Sequence, residues 1–448
     1  MSDATKFTKD QEDAITAFMD FMFDPKEKFF VIQGAAGTGK SFLLKHLAET
    51  YTAKEKIYRM MSNKIGANIT GVYFAASTNK AVAVLADFLR GASIMLPAKP
   101  MIFSNERDPN DVQFPCKPET LHKLLGLKIM NNLKTGKAET VATNNPVYYS
   151  SALIFIDEAS FIDQELFDLL KKGTSSNCKI VLIGDYYQLA PVGETKTIME
   201  SLKCRRTVMT EVVRNGGAIL KTSHKFRKTV SSGVFHNIEF DPKEILHVNG
   251  ADFRKMVNDH FKVPGWDPNK AKILAWTNAR VQEYNKYVRT LNNLPALVAK
   301  GETVMTNSNI VTPNRVFQID STVTIRDIDP NPVTDLGVEG RMLKIDKDFW
   351  AFMPNDFNDM RRVLKELARE KDWSAYFGVK ENWLDLRSAY ASSVHKAQGS
   401  TYEKVFIDLG DIGRNWEPEA VARLLYVAIS RGAKQVICNG SLPRRYCG

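Results

Sequence analysis

The sequence predicts an α/β protein with two parallel-sheet lobes in tandem, and three stretches carry that expectation. In the first, an apolar run at 29–32 leads through Gln33 into GAAGTGKS at 34–41 and then a helix over 42–50. In the second, residues 153–156 are an unbroken apolar strand ending in Asp157 and Glu158, the pattern of a strand buried on both faces. In the third, a strand at 272–276 ends in Thr277 and Asn278 and is followed by a helix over 280–291. Strand, polar end and helix thus recur far along the chain, as a second lobe requires.

At 448 residues the chain exceeds one ordinary core, and about 150 residues per domain suggests two to four domains. The 44% apolar and 25% charged fractions are those of a soluble globular protein. No run reaches the roughly 18 apolar residues of a membrane helix, and MSDATKFTKD at the start has no apolar signal core, so a cytoplasmic protein is expected. Lys and Arg total 61 against 51 Asp and Glu, an excess of +10 that suits a polyanionic partner without requiring one. The five cysteines (Cys116, Cys178, Cys204, Cys438, Cys447) are odd in number, scattered and never spaced C-x-x-C, which argues for reduced thiols and against both a disulfide framework and a zinc site.

The 34–41 segment fits the phosphate-loop pattern G-x-x-x-x-G-K-[ST]. Gly34, Gly37 and Gly39 are expected at positive φ, so that the N–H groups of this run, Ala35, Ala36 and Thr38 included, turn toward phosphate oxygens. Lys40 adds a fixed positive charge. Ser41 opens the helix, where the dipole favours anions and its hydroxyl can ligate the Mg²⁺ carried by a nucleoside triphosphate.

Upstream, Ala14, Ile15, Ala17, Phe18, Phe21 and Met22 recur at helical spacing, with Thr8 as N-cap. Gln11 in that first turn either bonds an adenine edge or is a solvated helix residue. After a strand at 71–76, Thr78 and Asn79 lead into a helix over 81–89; such strand ends either meet a nucleic-acid backbone or simply cap the helix. Residues 91–118 are loop-like, with five prolines. Thr120 and His122 then lie together at the start of a short helix. Two strand-like runs around a glycine turn at 127–143 read as a hairpin, an inert excursion or a wedge.

Asp157, at the carboxyl end of its strand, is placed to hold Mg²⁺, and Glu158 to accept a proton from attacking water. A strand at 179–183 leads to Gln188, which can bond a γ-phosphate or orient water. Arg214 is either a stabiliser of charge on the transferred phosphoryl group or an ordinary surface arginine. The second lobe is expected to start near Arg205. Within it, 301–385 differs in character, with short strands at 323–325, 342–345 and 349–353 and one helix over 357–373, as in an inserted β module. His395 and Lys396 suit phosphate or base contact. Arg431, ending an apolar helix, is a second candidate for reaching the γ-phosphate.

Taken in order, FTKDQ, GAAGTGKS, ASTNKA, TLHKLLG, IFIDEAS, GDYYQLAPV, EVVR, AWTNARV, SVHKAQGSTY and LLYVAISRG resemble the successive motifs of superfamily 1 helicases, in the 5′-to-3′ RecD and Dda-like branch. The DEAS, GDxxQLxPV and HKAQG runs are the group-specific ones. The resemblance implies two RecA-like domains, 1–204 and 205–300 with 386–448. It also implies a pin hairpin at about 127–145, and an SH3-like domain with a helical extension at 301–385. ATP, with Mg²⁺ on Ser41 and Asp157, would be bound by Gln11, residues 34–41, Gln188, Arg214, Gly399 and Arg431. Lys40, Asp157, Glu158, Gln188, Arg214 and Arg431 would carry the chemistry. Single-stranded DNA and duplex junctions would be met by Thr78, Asn79, Thr120, His122, Thr277, Asn278, His395 and Lys396. A monomer working with replication or recombination proteins is implied. Asn79 stands where the family often has His, and the pin has no aromatic tip. An ATP-gated strand-binding switch and an RNA remodeller are the other functional classes these motifs admit.

Overall fold

The computed structural model describes residues 7–65, 69, 71–90, 118–132, 138–143, 147–190, 197–213, 217–262, 266–295, 297–313, 316–317, 319–347 and 349–446. The chain divides into two compact units. One comprises Met1–Lys128, Val141–His236 and Pro418–Ser430, the other Ile129–Thr140, Asn237–Glu417 and Arg431–Gly448.

The first unit is built on a parallel sheet of six strands in the order Glu119–Thr120, Gly71–Ala76, Ala152–Asp157, Lys179–Gly184, Phe29–Gly34, Arg205–Met209. Alternate side chains of the central strands enter two different cores. Phe30, Ile32, Leu153, Phe155, Val181 and Ile183 pack with Phe18, Leu43 and Leu85 of the helices Lys9–Phe23, Lys40–Ile65 and Asn79–Leu89. Val31, Ile154, Ile156, Ile180 and Leu182 face the other way, onto Leu121, Leu166, Phe167 and Leu170. Both faces are covered, which is why these strands read as unbroken apolar runs. Aromatic rings run through the first core; Phe74 and Phe155 stack at 5.5 Å, and each buried ring contributes about 1.5–3 kcal/mol.

The helix Lys9–Phe23 has no basic residue in its last turn. Its carboxyl end is met instead by the buried Lys179, whose ammonium donates to the carbonyls of Phe21, Asp24 and Glu27. A lysine at the start of an interior strand thus supplies the cation that the helix dipole favours there.

Several boundaries differ from expectation. The helix after the phosphate loop begins at Lys40 and runs to Ile65. Arg205 does not open the second lobe: Arg205–Met209 pairs in parallel with Phe29–Gly34 as an edge strand of the first sheet, and the second unit's main span starts at Asn237. The alternating polar residues of RRTVM, half-exposed as edge strands are, hid that strand.

The second unit holds a five-stranded parallel sheet in the order Ala391–Ser393, Ala271–Ala275, Tyr402–Asp408, Gly432–Asn439, Ile245–Val248. The helices Gly250–Phe261 and Asn278–Leu291 pack on one face, through Phe253, Val257, Phe261 and Val288. Between these strands lie antiparallel elements: Thr303–Thr306 pairs with Thr322–Thr324 and Leu386–Ser388, and Val338–Asp346 pairs with Asp327–Asp335 and Phe349–Pro354. Val304, Val323, Ile325, Leu343, Ile345 and Leu386 share one core, so the inserted module closes on a strand beyond residue 385. The single helix expected over 357–373 is two, Phe357–Glu370 and Trp373–Asn382, separated by Lys371 at φ 59° and an Asp372 N-cap.

The hairpin is present as Leu127–Asn131 and Ala138–Ala142; its turn, 133–137, lies outside the described residues, as do 91–117 of the proline-rich stretch. Among the described residues no helix is long and apolar enough to cross a membrane.

Candidate nucleotide and nucleic-acid site

In the first unit the loop after Phe29–Gly34 turns through Gly37 and Gly39 at φ 82° and 81°. Gly34 is not at positive φ, contrary to expectation. It is needed for space: a Cβ there would sit 2.8 Å from Lys40 Cγ and from Thr38 Oγ1. Lys40 folds back across that gap and donates from Nζ to the carbonyls of Gly34 (2.9 Å) and Ala35 (3.1 Å). Thr38 Oγ1 donates to Ala35 O, so the loop is bonded to itself, while Ser41 is half-buried in the first helical turn.

Gln11 is buried behind this loop. Its Oε1 accepts from Thr8 N–H, completing a capping box, and its Nε2 donates to Thr38 O at 3.2 Å. Gln11 is therefore not the solvated helix residue that is one of its two readings: its buried side chain braces the phosphate loop.

Asp157 ends the strand beside Gly71–Ala76, in register with Ala76. It is almost fully buried, and burial together with the adjoining Glu158 carboxylate pushes its pKa up to about 6, against the pull of Lys40. Glu158 is not part of the strand. It adopts φ 51°, ψ 39°, a left-handed conformation costly for a residue with a Cβ, held by Ser77 Oγ donating to its carbonyl. Its carboxyl Oε2 is buried without a hydrogen-bond partner. Two adjacent acids short of positive charge are what a Mg²⁺ ion would relieve, so Asp157, with the Ser41 hydroxyl, fits the metal role. Among the described residues no group of three or more His, Cys, Asp or Glu could hold a metal ion.

The neighbouring strand, Lys179–Gly184, leads to Asp185 and the buried Gln188. This segment is gripped by the helix Pro418–Ser430 of the same unit. Arg423 donates to the carbonyls of Tyr186 and Gln188, and Tyr426 donates its hydroxyl to Asp185 Oδ2. Ala36 N–H of the phosphate loop donates to Tyr426 Oη at 3.0 Å, and His224 on the helix Ala218–Ser232 meets Ala36 O at 3.3 Å. Sequence reasoning missed Arg423, Tyr426 and His224. The available signal was two polar side chains three residues apart inside an otherwise apolar helix.

Thr78 and Thr120 cap the helices that leave two adjacent strand ends; Ala76 pairs with Thr120, and Asn79 is exposed beside them. These three and His122 therefore gather at the carboxyl edge of the sheet that carries the phosphate loop. Burial holds the His122 pKa below its ordinary value, opposed by Asp163 and Glu165. Arg214 lies outside the described residues.

In the second unit Thr277 is already engaged. Its N–H and hydroxyl donate to Asp411 (2.7 and 2.8 Å), while Oγ1 caps the following helix and Asn278 stays exposed. His395 and Lys396 are exposed in the short helix Val394–Ala397; Lys396 Nζ donates to Asn307 (2.9 Å) and Asp320 (2.8 Å). Arg431 is buried and donates to Ser400 O at 3.0 Å, next to Gly399 at φ 74°. A Cβ on Gly399 would meet nothing, so glycine serves the backbone conformation alone.

The model of the AAA domain family matches residues 6–236, just over half of the chain, and that of the UvrD-like helicase C-terminal domain matches residues 388–438. A protein of Acanthamoeba polyphaga mimivirus, R530, is 22% identical, the match covering 96% of this chain and 99% of that protein. The ATP-dependent DNA helicase dda of Enterobacteria phage T4 is 21% identical over 96% of this chain and 98% of its own length. A solved Pif1 helicase from Bacteroides, in complex with ADP-AlF3 and single-stranded DNA, covers 99% of this chain and 95% of that one at 14% identity and a TM-score of 0.49.

Proposed function

Because the chain belongs to the superfamily 1B helicases of the Pif1 and Dda type, ATP-driven DNA helicases carrying an AAA domain, we propose that it moves 5′ to 3′ along single-stranded DNA and unwinds the duplex ahead. One observation carries the reading. The phosphate loop, the underserved acid pair and a row of strand-end residues suited to a nucleic-acid backbone all lie at the carboxyl ends of one parallel sheet.

On this reading the loop N–H groups of residues 34–41 and Lys40 hold the ATP phosphates, and Gln11 fixes the loop from behind. Mg²⁺ would be held by Ser41 and Asp157, where it adds positive charge against the phosphates. Glu158 takes the proton of the attacking water and Gln188 orients that water. Arg214 and Arg431 neutralise charge on the transferred phosphoryl group, and Gly399 frees the backbone beside Arg431. Thr78, Asn79, Thr120 and His122, with Thr277, Asn278, His395 and Lys396, grip the strand with little sequence preference.

We assign the hairpin Leu127–Asn131 and Ala138–Ala142 as the pin that parts the duplex, and the antiparallel module as an SH3-like domain with helical extension. The protein acts as a monomer at duplex junctions alongside replication or recombination proteins.

Duplexes bearing a 5′ or a 3′ single-stranded tail test the proposal. Unwinding of the 5′-tailed substrate alone is expected. Unwinding only from the 3′ tail overturns the polarity. Strand-stimulated ATPase with neither duplex unwound points to an ATP-gated switch, and preference for an RNA tail to an RNA remodeller.

A further inference from the structure

Beyond its exposed first turn, the helix Pro418–Ser430 is buried all round, residues 421–429 without a break. Two polar side chains on such a surface are costly unless their bonds are met. Arg423 and Tyr426, three residues apart, share one face of the helix and meet the same short segment, 185–188.

Tyr426 does more than satisfy itself. Its hydroxyl donates to Asp185 Oδ2 and accepts from Ala36 N–H, while Asp185 Oδ1 takes Tyr187 N–H at 3.2 Å and Gln33 Nε2 at 3.4 Å. Asp185 and Tyr426 are wholly buried, so no water can replace either partner. His224 holds the carbonyl of the same residue, Ala36. Because a peptide group is planar and trans, fixing that carbonyl also fixes the direction of Gly37 N–H. Gln188 is tied to the arrangement through its own N–H, bonded to Asp185 O at 3.1 Å, and its carbonyl, bonded to Arg423 at 2.7 Å.

We infer that Tyr426 is a positioning residue for ATP hydrolysis: its hydroxyl sets the phosphate loop at Ala36 against the segment that carries Gln188. The inference rests on reading residues 34–41 as the ATP site and adds a part that neither the motifs nor the comparisons assign. Burial and Asp185 hold the phenol pKa well above that of an ordinary tyrosine, so the hydroxyl stays a donor at any assay pH. Helix Pro418–Ser430 runs directly into Arg431, so the chain that senses Ala36 is covalently continuous with the arginine proposed to act on the phosphoryl group.

Tyr426→Phe removes one oxygen and keeps the ring. Steady-state ATPase on saturating single-stranded DNA should show kcat lowered about tenfold with KM for ATP changed less than threefold, since the alignment of loop and Gln188 matters in the chemical step. Asp185→Asn should lower kcat similarly, and the double variant should be no slower than the worse single one, because all three cut the same link. A kcat within twofold of wild type for Tyr426→Phe overturns the inference. So does a double variant whose losses multiply, or a loss that falls on KM alone. Thermal unfolding of each variant identifies a folding defect, and if Tyr426→Phe fails to fold, Asp185→Asn alone decides by the same kcat criterion. Lys40→Ala, assayed alongside, separates the two levels: activity surviving in Lys40→Ala removes the ATP-site reading itself. Loss in Lys40→Ala with full activity in Tyr426→Phe removes only the role of Tyr426.

Discussion

The two parallel sheets use the same grammar and finish it differently. At the carboxyl ends of the first, groups are left short of partners: Glu158 Oε2 is buried unbonded, Glu158 is held at positive φ, and Asp157 is pushed up to about 6. At the matching ends of the second, the charged groups are paired, although Ser392 Oγ is buried without a partner. Asp411 takes Trp276 N–H and both donors of Thr277, Asp408 takes Arg280 and Tyr284, and Arg431 rests on Ser400 O. Strain and unmet charge persist only where surrounding structure enforces them, and they concentrate where a ligand completes the set. On the proposed function, the first sheet end would be finished by a triphosphate and its metal, while the second holds its parts in place.

The largest break in that contrast is Glu158→Gln. It keeps shape and removes only the capacity to take a proton, so strand-stimulated ATPase should fall by about 10²–10⁴-fold while single-stranded DNA binding stays near wild type. A rate within tenfold of wild type would return Glu158 to the status of a strained turn.

Asp157→Asn sharpens the contrast through stability. An acid whose folded pKa is about 6, against 3.8 for the ordinary group, binds a proton in the folded state between those values when the unfolded chain does not. Stability therefore declines as pH rises through that window, and above about 6 the ionised Asp157 burdens the fold. At pH 7, without nucleotide or Mg²⁺, Asp157→Asn should stabilise by about 1–3 kcal/mol, a rise in Tm of a few degrees, while abolishing ATPase. The gain should vanish near pH 4. A variant less stable than wild type at pH 7 would mean that the carboxylate is a structural partner after all.

Asp411→Ala probes the second sheet. It removes both acceptor oxygens, leaving the N–H groups of Trp276 and Thr277 without their partner. We expect a loss of about 2–3 kcal/mol and a Tm several degrees lower, with ATPase kcat nearly unchanged in the folded fraction. Equal damage to kcat would erase the distinction between the two ends.

What the sequence disclosed and withheld follows the same line. Runs buried on both faces, such as residues 153–156 and 179–183, announce themselves by composition. So does the phosphate loop, whose glycines have no other use at that spacing, although Gly34 proves to make room for Lys40 rather than to turn the chain. Edge strands did not show: Arg205–Met209 is half solvated, and its polar alternation resembles a loop. The partners that close the site were hidden for another reason. Gln11 and Thr38, Ala36 and Tyr426, and Thr277 and Asp411 lie 27, 390 and 134 residues apart, and no local periodicity reports a bond between such distant positions.

Lys396 carries the smallest effect and tests where the second sheet's economy ends. Its ammonium is exposed yet bonded to Asp320 and Asn307, a surface pair contributing at most about 1 kcal/mol to the fold, so the charge can be lent to a phosphate at little cost. If it grips the strand, Lys396→Ala should weaken single-stranded DNA binding severalfold and reduce the slope of log K against log salt by about 0.7, one phosphate contact's worth. Asp320→Asn should move affinity the other way, because the competing carboxylate is gone while Asn307 still orients the amine. Salt titrations of the two variants that share the wild-type slope would make Lys396 a brace within the second unit, satisfied like its neighbours and indifferent to nucleic acid.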